Sequence, residues 1–406
     1  MRFGFDMGIK SPPSQTYTPP NHNSALTFLD HVLSHIHNEL LLWHYSGPFS
    51  RSRLESLIRP FPTSSLSTVP KSVDLPDRRI VQDLSFPRND PTYSSINDQI
   101  NIDDFRCDWG TFNEIRVIVR DVLTNSEAAT LDVDAAFRCC PITPSQQHNF
   151  IIHWNGYYYI DHNAPFGTTS ARGVFGRVAD AKSAILKSEG LSPSKNWVDN
   201  FVFFRFPISI TADPPSFSYA LDNIYNLAAR LGWPWNESKT RPFSLEFKYL
   251  GFTWNLHDKT VQIPESKKLR YLSKLELWVP DQKFSKKETE SILGTLVHCS
   301  LALPDRCSCL PAISWFATSF NHFSSPFVHR TPNLSVLTNI AWWCTRLADT
   351  SAVPPYQGHL TPLLFSSGSM PLPHGALESF WKTNGMPGSS APAGTRMAIT
   401  SGGLRL

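Results

Sequence analysis

Two segments of the chain place aspartates in otherwise apolar surroundings. Asp132 lies in LDVDAAFRCCPI, residues 131–142, and Asp199 interrupts the hydrophobic run NWVDNFVFFRF. A buried carboxylate is costly unless it is paired or coordinates a metal ion. If a sheet brings the two acids to one edge, their oxygens suit Mg²⁺, and two such ions can activate an attacking hydroxyl and stabilise a phosphate leaving group. The alternative, equally open for each acid alone, is a structural role in an ordinary turn.

The elements that must position these acids can be read from the hydrophobic spacing. Alternation of Asp132 and Asp134 with Leu131 and Val133 predicts a strand that carries both carboxylates on one face. Asn155-Gly156 predicts the turn of one hairpin, and Asp199 is expected at the tip of a second. Apolar residues recur at helical spacing, and so predict helices, in ALTFLDHVLSHIHNELL, SRSRLESLI, TFNEIRVIVRDVL, SARGVFGRVADAKSAILKSEG and PSFSYALDNIYNLAARLGW. RRIVQDLSF and LEFKYLGFTWNL add short strands, and hairpins mixed with helices indicate an α+β fold.

Composition narrows the class of protein. The chain has 406 residues, 41% hydrophobic and 17% charged, so it can bury a large core. Its net charge of +3 means that any contact with a polyanion must come from a local basic surface. No apolar run is long enough to span a membrane, and we see no secretory signal. The seven cysteines form no disulfide-like framework, which predicts an intracellular setting, with nucleus and cytoplasm not distinguished.

Six motifs, in order, resemble those of reverse transcriptases, and most closely those of DIRS-type (tyrosine-recombinase) retroelements of fungi and related eukaryotes. They are RRIVQDLSFPRNDPTYSSIND, LDVDAAFRCCPI, NAPFGTTSARGVFGRVAD, WVDN, LGWPWNESKT and FKYLGFTWNL. The resemblance covers roughly residues 25 to 320 and implies a right-hand polymerase fold, with fingers, a palm built on an antiparallel sheet, and a helical thumb.

The resemblance also assigns roles to individual residues. It implies that Asp132, Asp199 and the backbone carbonyl of Val133 hold two Mg²⁺ ions, with Mn²⁺ as a substitute, and that Lys239 protonates the departing pyrophosphate. It makes Phe137 the bulky aromatic that favours deoxynucleotides. The residues it places around the incoming deoxynucleoside triphosphate (dNTP) are Arg79, Val133, Phe137, Pro165, Phe166 and Gly167.

The chain departs from the family at Asn200, where a second aspartate is usual. An amide oxygen can ligate a metal ion but carries no negative charge. In the family the first aspartate of the pair is the direct ligand, and that position is Asp199 here. The substitution leaves the site assembled and predicts lowered or absent activity.

A basic stretch follows residue 264 and is expected in the thumb. The residues predicted to bind nucleic acid there are Lys267, Lys268, Arg270 and Lys274. They would neutralise the phosphates of a duplex, and the alternative is a solvated helical face. His298-Cys299 and Cys307-x-Cys309 do not have the usual spacing of zinc ligands, so no zinc is expected.

The expected organisation has five parts. Residues 1–24 are predicted to be disordered, 25–264 to form fingers and palm, 265–330 the helical thumb or connection, and 331–365 a connection remnant. Residues 366–406 lose hydrophobic periodicity and are predicted to be a disordered tail. Codons compatible with this tail can, in a neighbouring frame, encode a sequence that resembles the opening strand of ribonuclease H, so a frameshift is one hypothesis for it.

The first functional prediction is an RNA-directed DNA polymerase of a retroelement. Its partners would be an RNA template, a DNA primer or duplex, and a dNTP, with no membrane. The second is a decayed or repurposed retroelement fragment that binds nucleic acid without catalysis. The third is an unrelated α+β scaffold in which the motifs are coincidental.

Overall fold

The computed structural model describes residues 3–11, 15–58, 60–71, 78–88, 90, 92–209, 216–303, 309–322, 325 and 327–349. The chain divides into a larger unit, Met1–Leu250 with Asn255–His257, and a smaller one, Gly251–Trp254 with Asp258–Leu406. The division therefore falls between residues 250 and 258, slightly before the predicted boundary at 264. The predicted tail, residues 366–406, lies outside the described residues, and so does the part of the predicted connection after Asp349.

Helices and strands alternate irregularly along the chain. The helices are α1 Asn23–Thr27, α2 Leu29–Leu41, α3 Arg51–Ile58, α4 Phe112–Asp121, α5 Ala171–Ser188, α6 Leu221–Leu231, α7 Glu265–Leu275, α8 Lys286–Ser300, α9 Pro311–Thr318 and α10 Leu334–Ala348. The strands are β1 Tyr45–Phe49, β2 Ser65–Pro70, β3 Arg78–Asp83, β4 Glu127–Asp132, β5 Ile151–Trp154, β6 Tyr157–Asp161, β7 Ser194–Trp197, β8 Asn200–Arg205, β9 Pro207–Ser209, β10 Ser216–Phe217, β11 Arg241–Ser244, β12 Glu246–Tyr249, β13 Phe252–Asn255, β14 Thr260–Gln262, β15 Phe284–Ser285 and β16 His329–Arg330. The predicted α+β class is confirmed.

A four-stranded antiparallel sheet forms the centre of the larger unit. Its strand order is β11-β4-β8-β7, and the β4–β8 register pairs Leu131 with Phe201 and Asp132 with Asn200. The four residues Phe201, Val202, Phe203 and Phe204 are all fully buried. Burial on both faces explains why β8 reads as an uninterrupted apolar run, and it holds the polar ends of β4 and β8 in a fixed register.

Local signals explain where the elements next to this sheet begin and end. Helix α4 begins with a capping box, in which Thr111 accepts from the backbone N–H of Glu114 while the Glu114 carboxylate accepts from that of Thr111. Helix α6 ends at Gly232, whose φ of 62° is unstrained only without a Cβ. The predicted hairpin turn is present, with positive φ at Asn155 and Gly156 between β5 and β6.

The larger unit contains further sheets. One has the order β1-β6-β5, another pairs β9 with β10, and a third is the β2–β3 hairpin, whose register pairs Val69 with Arg79. Helix α2 packs through Val32 and Ile36 into a cluster with Leu66 of β2 and Ile152 of β5. The hairpin that carries Arg79 therefore rests on a shared apolar core.

The expectation of disorder over residues 1–24 is wrong for the described part of that segment. Met7 is fully buried in the main core, and the backbone N–H of Phe5 donates to the carbonyl of Pro141 at 2.8 Å. Tyr17 forms a backbone bridge with Pro62. Proline and serine content suggested a solvated chain, but long-range burial of a few apolar residues is enough to order it.

The smaller unit is mainly helical, as predicted. Trp343 of α10 is fully buried and donates its indole N–H to the carbonyl of Cys309 at 3.0 Å. Trp278 stacks on Phe284 with ring centroids 4.0 Å apart. Within the described residues, no helix is both long and apolar enough to cross a bilayer.

Candidate active site

The turn between β7 and β8 brings Asp199 next to Asp132. Asn200, the first residue of β8, pairs directly with Asp132, the last residue of β4. The backbone N–H of Val133 donates to the carbonyl of Asp199 at 2.8 Å. Val198 adopts a φ of 52°, a conformation unfavourable for a β-branched residue and often found at functional turns. Two acids that are 67 positions apart in the sequence thus meet at one edge of the sheet.

The segment after Gly232 supports Asp132 from the other side. The Asp132 carbonyl accepts from the backbone N–H of Asn236 at 2.8 Å, and its carboxylate Oδ1 accepts from Lys239 Nζ at 2.8 Å. The side chain of Asp132 is 17% exposed and that of Lys239 58%, so water screens this ion pair. Lys239 therefore lies within reach of the carboxylates.

Strand β4 ends earlier than the alternating pattern predicted. Regular pairing stops at Asp132, and Ala135 takes a φ of 45° before a short 3₁₀ turn at Ala136–Cys139. Asp134 is exposed and accepts from Asn236 Nδ2 at 3.2 Å. The two carboxylates of this motif therefore have different side-chain partners, Lys239 for Asp132 and Asn236 for Asp134.

The electrostatics single out Asp199. Burial and, next to it, the negative charge of Asp132 raise the pKa of the Asp199 carboxyl to about 6, while Lys239 and Arg79 act in the opposite direction. A carboxyl group in this position has a strong electrostatic demand for a cation.

The oxygens at this edge fit a divalent cation. Asp132 and Asp199 supply two carboxylates, and the Asn200 side-chain oxygen is buried with no hydrogen-bond partner among the described residues. A neutral amide oxygen is an acceptable ligand for Mg²⁺. Among the described residues no group of three or more His, Cys, Asp or Glu side chains forms a metal site. A cation here would therefore depend on two carboxylates, carbonyl or amide oxygens, and substrate or water.

Three of the predicted dNTP residues, Arg79, Phe166 and Phe137, lie against one another in that order and form an aromatic and cationic wall. The Arg79 guanidinium lies 5.3 Å from the ring centroid of Phe166, and Phe166 packs edge-on against Phe137 at 5.2 Å. Phe137 is only 5% exposed and also contacts Phe175 at 6.1 Å. The packing holds the Phe137 ring in one position, and little of the ring reaches solvent.

Gly167 has a conformational reason to be glycine. Its φ is +106°, and a Cβ built there would lie 2.7 Å from the carbonyl oxygen of Gln82 in β3. Asn97 Nδ2 donates to the Gly167 carbonyl at 2.9 Å, while its Oδ1 accepts from the Thr169 N–H at 2.9 Å. Pro165, which is buried, begins this loop. Close backbone approach therefore joins the loop to the strand that carries Arg79.

The basic helix of the smaller unit differs from its prediction in part. Lys268 is 6% exposed, and its Nζ donates to the carbonyl of Asp349 at 3.3 Å. Lys267 Nζ donates to the carbonyl of Gly251 at 3.3 Å. Lys268 is therefore unsuited to bind phosphate, because its amine bonds inside the protein. Arg270 is exposed and Lys274 half-buried.

Lys182 is a site-adjacent residue that the sequence reasoning missed. It lies on α5, is 2% exposed, and has no hydrogen-bond partner for Nζ among the described residues. The amine lies 5.1 Å from the ring centroid of Trp233 and 5.6 Å from that of Trp235, so cation–π attraction offsets part of its burial. Its helical spacing from buried Ala179 and Leu186 was a usable signal.

The similarities of this chain to known proteins are structural. No protein-family model and no curated protein matches it. A foamy viral protease-reverse transcriptase in complex with an RNA/DNA hybrid matches with a TM-score of 0.59 at 15% identity, over 86% of this chain and 40% of that one. The same viral protein in complex with dsDNA gives 0.58 at 16% identity, over 86% of this chain and 62% of that one.

These matches define a reverse-transcriptase-like fold. A third structure, of foamy viral protease-reverse transcriptase dRH with ds DNA, gives a TM-score of 0.57 at 15% identity, over 86% of this chain and 51% of that one. The chain thus spans between 40% and 62% of these structures. Such distant similarity establishes the fold, whereas function has to be argued from the site.

Proposed function

We propose that this chain is an RNA-directed DNA polymerase of a retroelement, and that it transfers nucleotides from dNTPs to a primer 3′-hydroxyl. The observation that carries the proposal is the meeting of Asp132 and Asp199 at one sheet edge, with the Lys239 amine on one of them. In this proposal the larger unit supplies fingers and palm and the smaller unit the thumb. The DIRS-type origin rests on the sequence motifs alone.

Each residue then has a physical task. Asp132 and Asp199, with the Val133 carbonyl, would hold two Mg²⁺ ions, which when bound supply Lewis-acid activation of the hydroxyl and charge stabilisation of the leaving group. Lys239 Nζ lies 2.8 Å from Asp132 Oδ1, where it would donate a proton to a departing pyrophosphate. Arg79 would pair with the triphosphate, and Phe137 would exclude a ribose 2′-hydroxyl.

A second candidate function follows from Asn200. Its backbone pairs with Asp132 in the ladder, and its amide oxygen brings no charge to the site. Loss of one carboxylate weakens the attraction for two divalent ions. A retroelement fragment that binds nucleic acid without catalysis is therefore the rival proposal.

Primer extension on an RNA template tests both proposals. The wild type, Asn200→Asp and Asp132→Ala would be compared, with duplex binding measured for each. Extension lost only in Asp132→Ala supports a working polymerase. Extension that appears only in Asn200→Asp identifies a relic, and absence of extension in all three proteins with duplex still bound supports the binding function.

A further inference from the structure

A cluster of charges is buried beside the aromatic wall. Arg138 donates from Nε and Nη2 to Glu39 Oε2 at 3.1 and 2.7 Å, and from Nη1 to Asp161 at 2.9 and 3.0 Å. Arg138 and Glu39 are each 8% exposed, and Asp161 is fully buried. Gln82 Nε2 donates to Asp161 Oδ2 at 3.1 Å. We refer to Arg138, Glu39, Asp161 and Gln82 as the Arg138 hub.

Burying the charged groups of the Arg138 hub costs free energy, because they lose their hydration. Burial raises the pKa of Asp161 although the Arg138 charge opposes this. Burial also disfavours ionisation of Glu39, but the hydrogen bond with His44 and the Arg138 charge outweigh it and lower the pKa of Glu39 to about 2. Apolar residues often replace a buried ion cluster without loss of stability. A reason other than stability is therefore to be sought in what the hub connects.

The hub joins every segment that carries the wall. Arg138 directly follows Phe137 in the chain. Its Nη1 donates to the carbonyl of Asn163 at 2.8 Å, and Asn163 Nδ2 donates back to the Arg138 carbonyl at 2.6 Å. Asn163 stands two residues before Pro165, so one side chain sets the spacing between the wall's two aromatic segments.

Gln82 extends the connection to the third segment. It belongs to β3, the strand that carries Arg79, and its carbonyl is the group that Gly167 approaches. Glu39, on α2, provides an anchor outside the wall; its hydrogen-bonded side-chain partners are Arg138 and His44. A change at Glu39 therefore reaches the wall through Arg138 rather than by direct contact.

We propose that Arg138 is a positioning residue for nucleotide selection. It holds Phe137, the Pro165–Gly167 loop and β3 at the separation that admits a deoxynucleotide and excludes a ribonucleotide. This inference rests on the proposed polymerase function. It means that the Arg138 hub controls the KM for dNTP and the selectivity against rNTP, and that it does not take part in the chemical step.

Glu39→Gln is the sharpest perturbation, because it removes one buried charge and keeps the shape of the side chain. We expect the KM for dNTP to rise about 5- to 10-fold and the selectivity for dNTP over rNTP to fall about 5-fold, while kcat stays within about 2-fold of the wild-type value. This pattern is the one produced when the bound nucleotide is positioned less well but the reacting groups are unchanged. Arg138→Lys keeps the positive charge but loses the fork that bonds Glu39, Asp161 and the Asn163 carbonyl, so its effects on KM and selectivity should be at least as large as those of Glu39→Gln. It carries the same test if Glu39→Gln does not fold.

Glu127→Gln is the matched control. Glu127 accepts from Arg205 at 2.9 and 2.5 Å in a half-buried ion pair of the central sheet. The Arg205 guanidinium in turn lies over the rings of Phe217 and Phe243, neither of which belongs to the wall. Glu127→Gln should lower stability without moving KM or selectivity. If Glu127→Gln raises the KM for dNTP as much as Glu39→Gln does, at an equal loss of stability, the positioning role is overturned.

Hydrogen exchange provides a readout that does not need catalysis. Glu39→Gln should speed amide exchange about 10-fold in peptides covering residues 136–139 and 163–168 and leave peptides of α6 unchanged. Unchanged exchange at the wall overturns the proposal whether or not the chain is a polymerase. If the wild type extends no primer, the polymerase function fails and exchange alone decides whether the hub holds the wall.

Discussion

Replacing Asp199 by asparagine should make the metal-free protein more stable. The carboxyl is held in a buried position beside Asp132, and its pKa rises from 3.8 to about 6. The backbone hydrogen bond from Val133 to the Asp199 carbonyl is independent of the side chain. The Asp199→Asn variant would therefore keep the turn and lose only the disfavoured charge.

The magnitude follows from the pKa. One pKa unit corresponds to about 1.4 kcal/mol, so the free energy of unfolding should increase by about 2–3 kcal/mol in Asp199→Asn at pH 8. Because the folded-state pKa lies above the unfolded one, the charge destabilises the fold fully above about pH 6. The gain should decline between pH 6 and 3.8 and vanish below that range.

Urea unfolding followed by the fluorescence of the 12 tryptophans measures this directly, with EDTA present, at pH 8 and pH 4. Asp134→Asn serves as the control, because Asp134 is exposed and should change stability by less than about 0.5 kcal/mol. Adding MgCl₂ should then stabilise the wild type and not Asp199→Asn, since ligand binding to the folded state alone raises stability.

Two results would refute this reasoning. The first is an Asp199→Asn protein no more stable than wild type at pH 8, which would mean that the carboxyl is not electrostatically strained. The second is a gain that is equal at both pH values, which would place its origin in packing rather than charge. A confirmed gain would make Asp199 a residue whose presence costs stability and is explained by function.

Three further predictions concern other residues. Gly167→Ala should lower the free energy of unfolding by about 1–3 kcal/mol in urea melts, because a Cβ at this position conflicts with both the positive φ and the close backbone contact. Gly156→Ala is the control: Gly156 also has a positive φ but has open space around it, so its substitution should lower the free energy of unfolding by less. Lys182→Met should raise the free energy of unfolding by about 1–3 kcal/mol at pH 7, because burial lowers the pKa of this lysine to about 8. The gain in stability should shrink as the pH rises from 8 to 10.5, where the lysine of the wild type loses its charge in the folded protein. A gain that stays constant over that pH range in urea melts would contradict this prediction. Arg270→Ala should weaken duplex binding and reduce the slope of log K against log salt by about 1, while Lys268→Ala leaves the slope unchanged; equal slopes for both variants would show that Arg270 contacts no phosphate.

Some of the candidate site could be predicted from local patterns. The position of Asp199 at the tip of a hairpin followed from a polar pair between apolar runs, and that hairpin is present. The disorder predicted near the N-terminus failed because Met7 is buried by residues distant in sequence, which a composition argument cannot detect.

The sequence by itself determined the element types, the α+β class and which acids lie in apolar surroundings, because these depend on periodicity and turn chemistry within a few residues. Only the tertiary structure decided that Asp132 pairs with Asn200, that Lys268 bonds inside the protein, and that Lys182 is buried under two indoles. The Arg138 hub belongs to the same group, since Glu39 and Arg138 are 99 positions apart. Strand register and the burial of long charged side chains depend on which distant segments pack together, and no local pattern of residues specifies that.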